Sequence, residues 1–217
     1  MSGRKRVGVL ISGRGSNLKS LIQAARARNF PAEIALAVSN RADAGGLRHA
    51  KRARIATAVI PHKDYPSREA FDAELHMALM EAKVDLVCLA GFMRLLAPEF
   101  VEGWHDRMLN IHPSLLPAFP GLDTHERVLK SGVRFTGCTV HFVRAAMDTG
   151  PIVAQAAVPV LPGDTPKTLA ARVLAAEHRL YPLALKLVAG GKVRVVGEQV
   201  KIAGHKSPVG PLFNPKA

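Results

Sequence analysis

Short apolar runs alternate with longer amphipathic stretches along the first half of this chain, a pattern that predicts a parallel sheet covered by helices. Strands are expected at Arg6–Ser12, Glu33–Ser39, Ala56–Ile60 and Val84–Leu89. Between them, Ser16–Arg28, Asp43–Arg54 and Ser67–Lys83 carry apolar residues at helical spacing. The last shows the period best, through Glu69, Phe71, Leu75, Leu79 and Met80, with Pro66–Ser67 just upstream as a helix start. A βαβαβαβ order with short connections gives right-handed crossovers, so the fold class is α/β, a doubly wound and mostly parallel twisted sheet.

The rhythm changes after the fourth strand. Met108–Leu116 reads as a short strand running into the loop His112-Pro113-Ser114-Leu115-Leu116-Pro117, whose prolines stop a helix. A helix at Thr124–Ser131, strands at Gly137–Val143 and Ile152–Val160, and a long helix from Thr165 to Val188 follow. Lys192–Val196 and Gln199–Ile202 flank Gly197 as a C-terminal β-hairpin, and the residues past Gly204 read as a loose, basic tail. No internal repeat or low-complexity linker marks a boundary, so the 217 residues are expected to form a single domain, 1–217, with its core at about 6–202 and a tail at 203–217.

Composition narrows the function classes. Hydrophobic residues make up 48% of the chain, but no run approaches the length of a bilayer span, and Met1–Arg6 leads into too short an apolar stretch for a signal peptide. A cytoplasmic protein without membrane contact is expected. The formal charge of +13 raises the question of nucleic acid, yet the basic residues are interleaved with helix-like apolar positions and only 5% of residues are aromatic. Readers of single strands need stacking platforms that this chain lacks, so small anionic substrates are favoured over nucleic acid. Cys88 and Cys138 sit in apolar strand-like runs without metal-type pairing, and the histidines, His125 and His141 among them, show no zinc-ligand spacing, so no metal is expected.

Three constellations carry candidate chemistry. Gly13-Arg14-Gly15-Ser16-Asn17-Leu18 lies between the first strand and first helix, where glycines let backbone N–H groups approach an anion and the helix start presents unpaired donors. Leu18 replaces the third glycine of a dinucleotide fingerprint, and no Lys-Ser/Thr ending marks a Walker loop, so a phosphate rather than a nucleotide cofactor is indicated. Helix capping by Ser16 accounts for part of the same pattern. Asn110 and His112 fall on one side of a strand end, where an amide donor and a proton-transferring imidazole suit acyl chemistry; a turn-closing Asn and a loop His before Pro explain the same residues equally well. Asp148, in Met147-Asp148-Thr149-Gly150-Pro151, is either a turn residue or a carboxylate that favours the charged form of a nearby His. No nucleophile elbow or reactive-cysteine motif points to a covalent acyl-enzyme, which leaves direct attack by a substrate amine.

Taken together, Gly13–Asn17, Leu89-Ala90-Gly91-Phe92-Met93-Arg94-Leu95-Leu96, Asn110–Pro117 and Asp148–Pro151 resemble the phosphoribosylglycinamide formyltransferase family, over about Arg6 to Ile202. The His-Pro-Ser-Leu-Leu-Pro loop is common to wider formyl-transfer enzymes, including a tRNA formyltransferase and a formyl-folate hydrolase. The Gly-Ser-Asn segment and the length point to the glycinamide acceptor. The resemblance implies a Rossmann-like formyltransferase fold and transfer of formyl from 10-formyltetrahydrofolate to the amine of 5'-phosphoribosylglycinamide in purine biosynthesis, by a monomer or homodimer. It further implies that Asn110, His112 and Asp148 are catalytic, and that Gly15, Ser16, Asn17 and Glu177 hold the ribonucleotide. Folate would be met by Arg68, Met93, Arg94, Leu95, Leu96 and Asn110. The segment Val143–Asp148 would complete the folate site; here it carries Arg144, Ala145 and Ala146 where relatives are often acidic. Formyl transfer to water and a basic nucleic-acid-binding module are the rival readings.

Overall fold

A computed structural model describes residues 3–204 and 209–215. Seven strands form one sheet in the order β3-β2-β1-β4-β5-β6-β7: β1 (Lys5–Ile11), β2 (Ala32–Ser39), β3 (Ala56–Val59), β4 (Leu86–Leu89), β5 (Met108–His112), β6 (Phe135–Phe142) and β7 (Ile152–Pro159). The first five are parallel, and β6 and β7 pair antiparallel. Helices α1 (Ser16–Ala25), α2 (Gly46–Arg52), α3 (Arg68–Glu81), α4 (Pro98–Gly103), α5 (Thr124–Ser131) and α6 (Pro166–Ala189) cover it. The expected hairpin is present as β8 (Val193–Val196) and β9 (Gln199–Ile202), a separate two-stranded sheet.

Period-two alternation divides the strand residues between two cores. In β1, Val7, Val9 and Ile11 face α1, α2, α5 and α6, whereas Leu10 faces α3 and α4. In β5, Leu109 and Ile111 join the first core and Met108 the second. Asn110 and His112 therefore leave the strand on the side of Met108, as their spacing in the sequence predicts.

Helix α3 begins where Pro66–Ser67 suggested, with the Ser67 hydroxyl accepting a bond from the Ala70 N–H at 3.2 Å. Its buried stripe differs from the expected one. Met80 is 54% exposed, and Asp72 is buried beside Phe71, Leu75 and Leu79, where its carboxylate accepts the Ala97 N–H at 2.6 Å. That bond holds the first residues of α4, a helix too short to show a period and absent from the sequence-based expectation.

Several expected boundaries shorten. Helix α1 ends at Ala25 rather than Arg28, α2 begins at Gly46 rather than Asp43, and the strand expected at Met108–Leu116 stops at His112, before the first proline. The tail expected to be loose is anchored in part, since the Asn214 amide donates to the carbonyls of Arg134 and Val160 at the sheet edge, at 2.6 and 3.2 Å. The start of that tail, 205–208, and residues 216–217 lie outside the described residues.

Across the centre of the sheet, Tyr181 of α6 reaches its fully buried hydroxyl between the carbonyls of Leu89 and Leu109, 3.0 Å from each. Leu89 is the last residue of β4, and Leu109 immediately precedes Asn110 in β5. Replacing Tyr181 with Phe leaves both without this donor in an apolar setting and is expected to lower stability by about 1–3 kcal/mol. Urea unfolding of Y181F measures it, and an unchanged midpoint contradicts the role given to the hydroxyl.

Candidate active site

The loops after β4, β5 and β6 enclose a cavity of about 810 Å³ whose lining includes Asn110, His112 and Asp148. The antiparallel register of β5 and β6 sets Asn110 directly opposite His141, and His112 opposite Thr139. Thr139 fixes the Pro-rich loop: its hydroxyl donates to the Ser114 carbonyl at 2.7 Å and accepts the Leu116 N–H at 3.1 Å.

Asp148 closes the group. Its side chain is 8% exposed, with Oδ2 lying 3.3 Å from His112 Nδ1 and accepting the Gly121 N–H at 2.8 Å. Its Oδ1 lies 3.7 Å from His141 Nε2. The backbone at Asp148 is left-handed, with φ of 57°, a conformation in which Asp is among the more tolerant side chains. The loop can return to β6 only because position 150 is glycine: a Cβ there would fall 1.8 Å from the Phe142 carbonyl oxygen. Gly150 and Pro151, which the sequence explains as turn residues, thus place the carboxylate.

Both nitrogens of His112 face acceptors, Nδ1 toward Asp148 and Nε2 toward the Phe119 carbonyl at 2.9 Å. A neutral ring donates to one of the two, and an imidazolium donates to both. His141 is a different case. Burial pushes its imidazole below the ordinary value of 6.5, against the smaller opposing effects of the Phe142 carbonyl and Asp148. With the Nδ1–H of this neutral ring donated to the Phe142 carbonyl at 2.9 Å, Nε2 is left to accept from the Asn110 amide at 3.2 Å. That contact orients Asn110 and leaves its second amide hydrogen for the cavity. Sequence reasoning considered His141 only as a metal ligand and missed this part, because the signal is a cross-strand register rather than a motif. Among the described residues, no group of three or more His, Cys, Asp or Glu side chains is placed to hold a metal ion.

Met93, Arg94, Leu95 and Leu96 line the same cavity, whereas Arg68, also expected to meet folate, does not: it sits at the first residue of α3, 3.7 Å from Glu69. Arg144 is turned into two ion pairs, with Asp106 at 2.8 Å and Glu198 at 3.1 Å, joining the Val143–Asp148 segment to the hairpin. Gly15, Ser16, Asn17 and Glu177 cluster at the head of α1. Gly15 is its N-cap, with φ of 71° and no side-chain cap, so the first-turn N–H groups have no intrahelical partner and Ser16 does not cap the helix. The buried Asn17 amide donates to Glu177 Oε2 at 2.7 Å, across 160 residues of chain. Burial raises the Glu177 carboxyl above its ordinary range, with the Asn17 contact opposing.

A model of the formyl transferase family matches residues 5–185. The chain belongs to the formyl transferase family. Family membership implies a folate-type formyl donor. Among formyl transferase relatives, the phosphoribosylglycinamide formyltransferase of Escherichia coli (strain K12) is 43% identical over 200 residues, which cover 92% of this chain and 94% of the relative. The trifunctional purine biosynthetic protein adenosine-3 of Homo sapiens is 53% identical over 203 residues, which are 94% of this chain but 20% of that protein. The crystal structure of glycinamide ribonucleotide transformylase 1 from Symbiobacterium toebii superposes with a TM-score of 0.91 at 50% identity, covering 93% of this chain and 95% of the other. No helix among the described residues is long and apolar enough to cross a membrane.

The depressed imidazoles give a pH prediction. Burial lowers both His141 and His125, and the neighbouring His112 lowers each further. The unfolded chain therefore takes up protons below about pH 6.5 that the folded form resists, so this stability is complete above that value and is lost as pH falls toward the folded values. Urea midpoints are expected to drop between about pH 7.5 and pH 5.5, and less in His141→Gln. Equal slopes in both proteins contradict the buried neutral ring.

Proposed function

We propose that the chain transfers the formyl group of 10-formyltetrahydrofolate to the primary amine of 5'-phosphoribosylglycinamide, by direct attack through a tetrahedral intermediate. The observation that carries this reading is the meeting of Asn110, His112 and Asp148 at one end of a cavity walled by Met93–Leu96. Relatives that match along nearly their whole length and bear the name phosphoribosylglycinamide formyltransferase support it. In this reading the chain acts as one domain, Met93–Leu96 and Asn110 hold the folate, and Arg68, outside the cavity lining, meets its exposed end. Gly15, Ser16 and Asn17 receive the phosphate through the unpaired N–H groups of α1, with Glu177 on the ribose side.

The amine attacks the formyl carbon, and the carbonyl oxygen becomes negative. Asn110 donates its free amide hydrogen to that oxygen, while protonated His112 swings its Nε2–H from the Phe119 carbonyl to the same atom. Asp148 keeps the charged ring in place through Nδ1. A proton then passes from the attacking nitrogen to the folate leaving nitrogen, and the intermediate collapses.

Asp148→Asn keeps the shape but removes the charge opposite His112, and kcat is expected to fall by about 100-fold or more with little change in the apparent constant for the phosphorylated amine. Near-normal turnover in a steady-state assay of formyl transfer contradicts the assignment. Asn17→Ala is expected to act the other way, raising that apparent constant while largely sparing kcat, and to lose this effect against a dephosphorylated analogue. A penalty that is the same for both acceptors argues against a phosphate at the head of α1.

A further inference from the structure

Beside the Gly13–Gly15 loop is a second cavity, of about 600 Å³, that shares no lining residue with the cavity around His112. It lies at the C-terminal ends of β1 and β2, between the loops that follow them and helix α2. Arginines reach it from three separate segments: Arg14 after β1, Arg41 after β2, and Arg48 and Arg52 from α2, with His49 alongside. The one carboxylate in the lining, Asp43, is bound by Arg41 through both oxygens at 3.0 and 2.8 Å. Four guanidinium groups against one carboxylate leave a formal charge of +3 on the cleft.

All four arginines are exposed, but their grouping is not what a mixed-charge solvated face favours. Arg48 and Arg52 are helical neighbours one turn apart, where like charges oppose folding, and no acidic side chain separates them. Among the described residues, Arg14, Arg48 and Arg52 make no ion pair, and Arg48 Nη2 lies 3.6 Å from the Cβ position of Gly45, close to the backbone of Arg14. The walls are also held firmly. Gly46 donates its N–H to the Gly13 carbonyl at 3.0 Å, and a Cβ on Gly15 would fall 2.3 Å from the Gly46 Cα, so the two loops touch backbone to backbone. Concave walls of one sign focus the field on whatever enters. The lining has no Phe, Tyr or Trp for a base to stack on. Guanidinium forks arriving from three directions suit a tetrahedral, multiply charged group better than a planar carboxylate.

We propose that this cleft is a second anion site, which takes a polyphosphate chain, either free pyrophosphate or the phosphate chain of a nucleotide. It is independent of the formyl-transfer reading, and direct binding tests it without an activity assay. Calorimetric titration of the full chain with sodium pyrophosphate at low salt is expected to show one saturable site per chain. R48A/R52A should weaken it at least about tenfold, and R14A, from another segment, should weaken it as well. R26A/R28A removes the same charge at the far end of α1 and should leave affinity within about twofold. Adenosine triphosphate binding more tightly than pyrophosphate identifies a nucleotide as the source, and equal binding identifies the free anion; both support the site. Equal losses in R26A/R28A and R48A/R52A would mean only diffuse attraction and would overturn it. Triglutamate binding as tightly as pyrophosphate, no saturable binding, or binding that N17A abolishes and R48A/R52A spares would overturn it equally.

Discussion

The contact between Asp148 and His112 is the constraint on which the proposed active site depends. It joins a strand end to a loop 36 residues later, and it does so inside a pocket where the carboxylate is nearly sealed from water. A buried carboxylate is costly unless it is matched by donors, and here the Gly121 N–H and the His112 ring supply them. The same pairing gives a reason for the left-handed backbone at Asp148 and for the glycine at position 150. Loosening either would release the carboxylate from the ring and leave both without their partners.

The sheet explains why these groups can meet. Parallel strands β1, β4 and β5 send their C-terminal ends to one edge of the molecule, where loops leave toward opposite faces and open a crevice. The reversal at β6 then brings a strand back beside β5 and sets His141 against Asn110. Tyr181, held between the carbonyls of Leu89 and Leu109, ties the long helix α6 to the end of β4 and to β5 just before Asn110. Helix α6 also carries Glu177 to Asn17 at the head of α1. One helix thus braces both the proposed catalytic groups and the proposed phosphate seat.

Much of this was legible in the sequence, and the physical reasons are specific. Apolar runs such as Val7–Ile11 and Leu86–Leu89 are buried on both faces, so they stand out as strands without alternation. Asn110 and His112 share a side because strand side chains alternate, and Gly15 marks its turn through its positive φ. What stayed hidden depended on partners distant in sequence. The antiparallel return of β6 and the orienting contact of His141 follow from register, which no single segment encodes. Helix α4 is too short to declare a period, and Asp72 was invisible as a buried residue because its partner, the Ala97 N–H, is a backbone group. Arg144 reads as a foreign charge in the proposed folate loop until Asp106 and Glu198 are seen beside it.

A crystal structure with a stable tetrahedral mimic, in which a carbinol joins a folate analogue to the phosphorylated amine, tests the central claim most directly. The account predicts the carbinol oxygen at about 3 Å from both the Asn110 amide nitrogen and a His112 ring nitrogen, with Asp148 still on the other ring nitrogen. A carbinol oxygen that points to solvent, with Asn110 and His112 turned toward other partners, would contradict it.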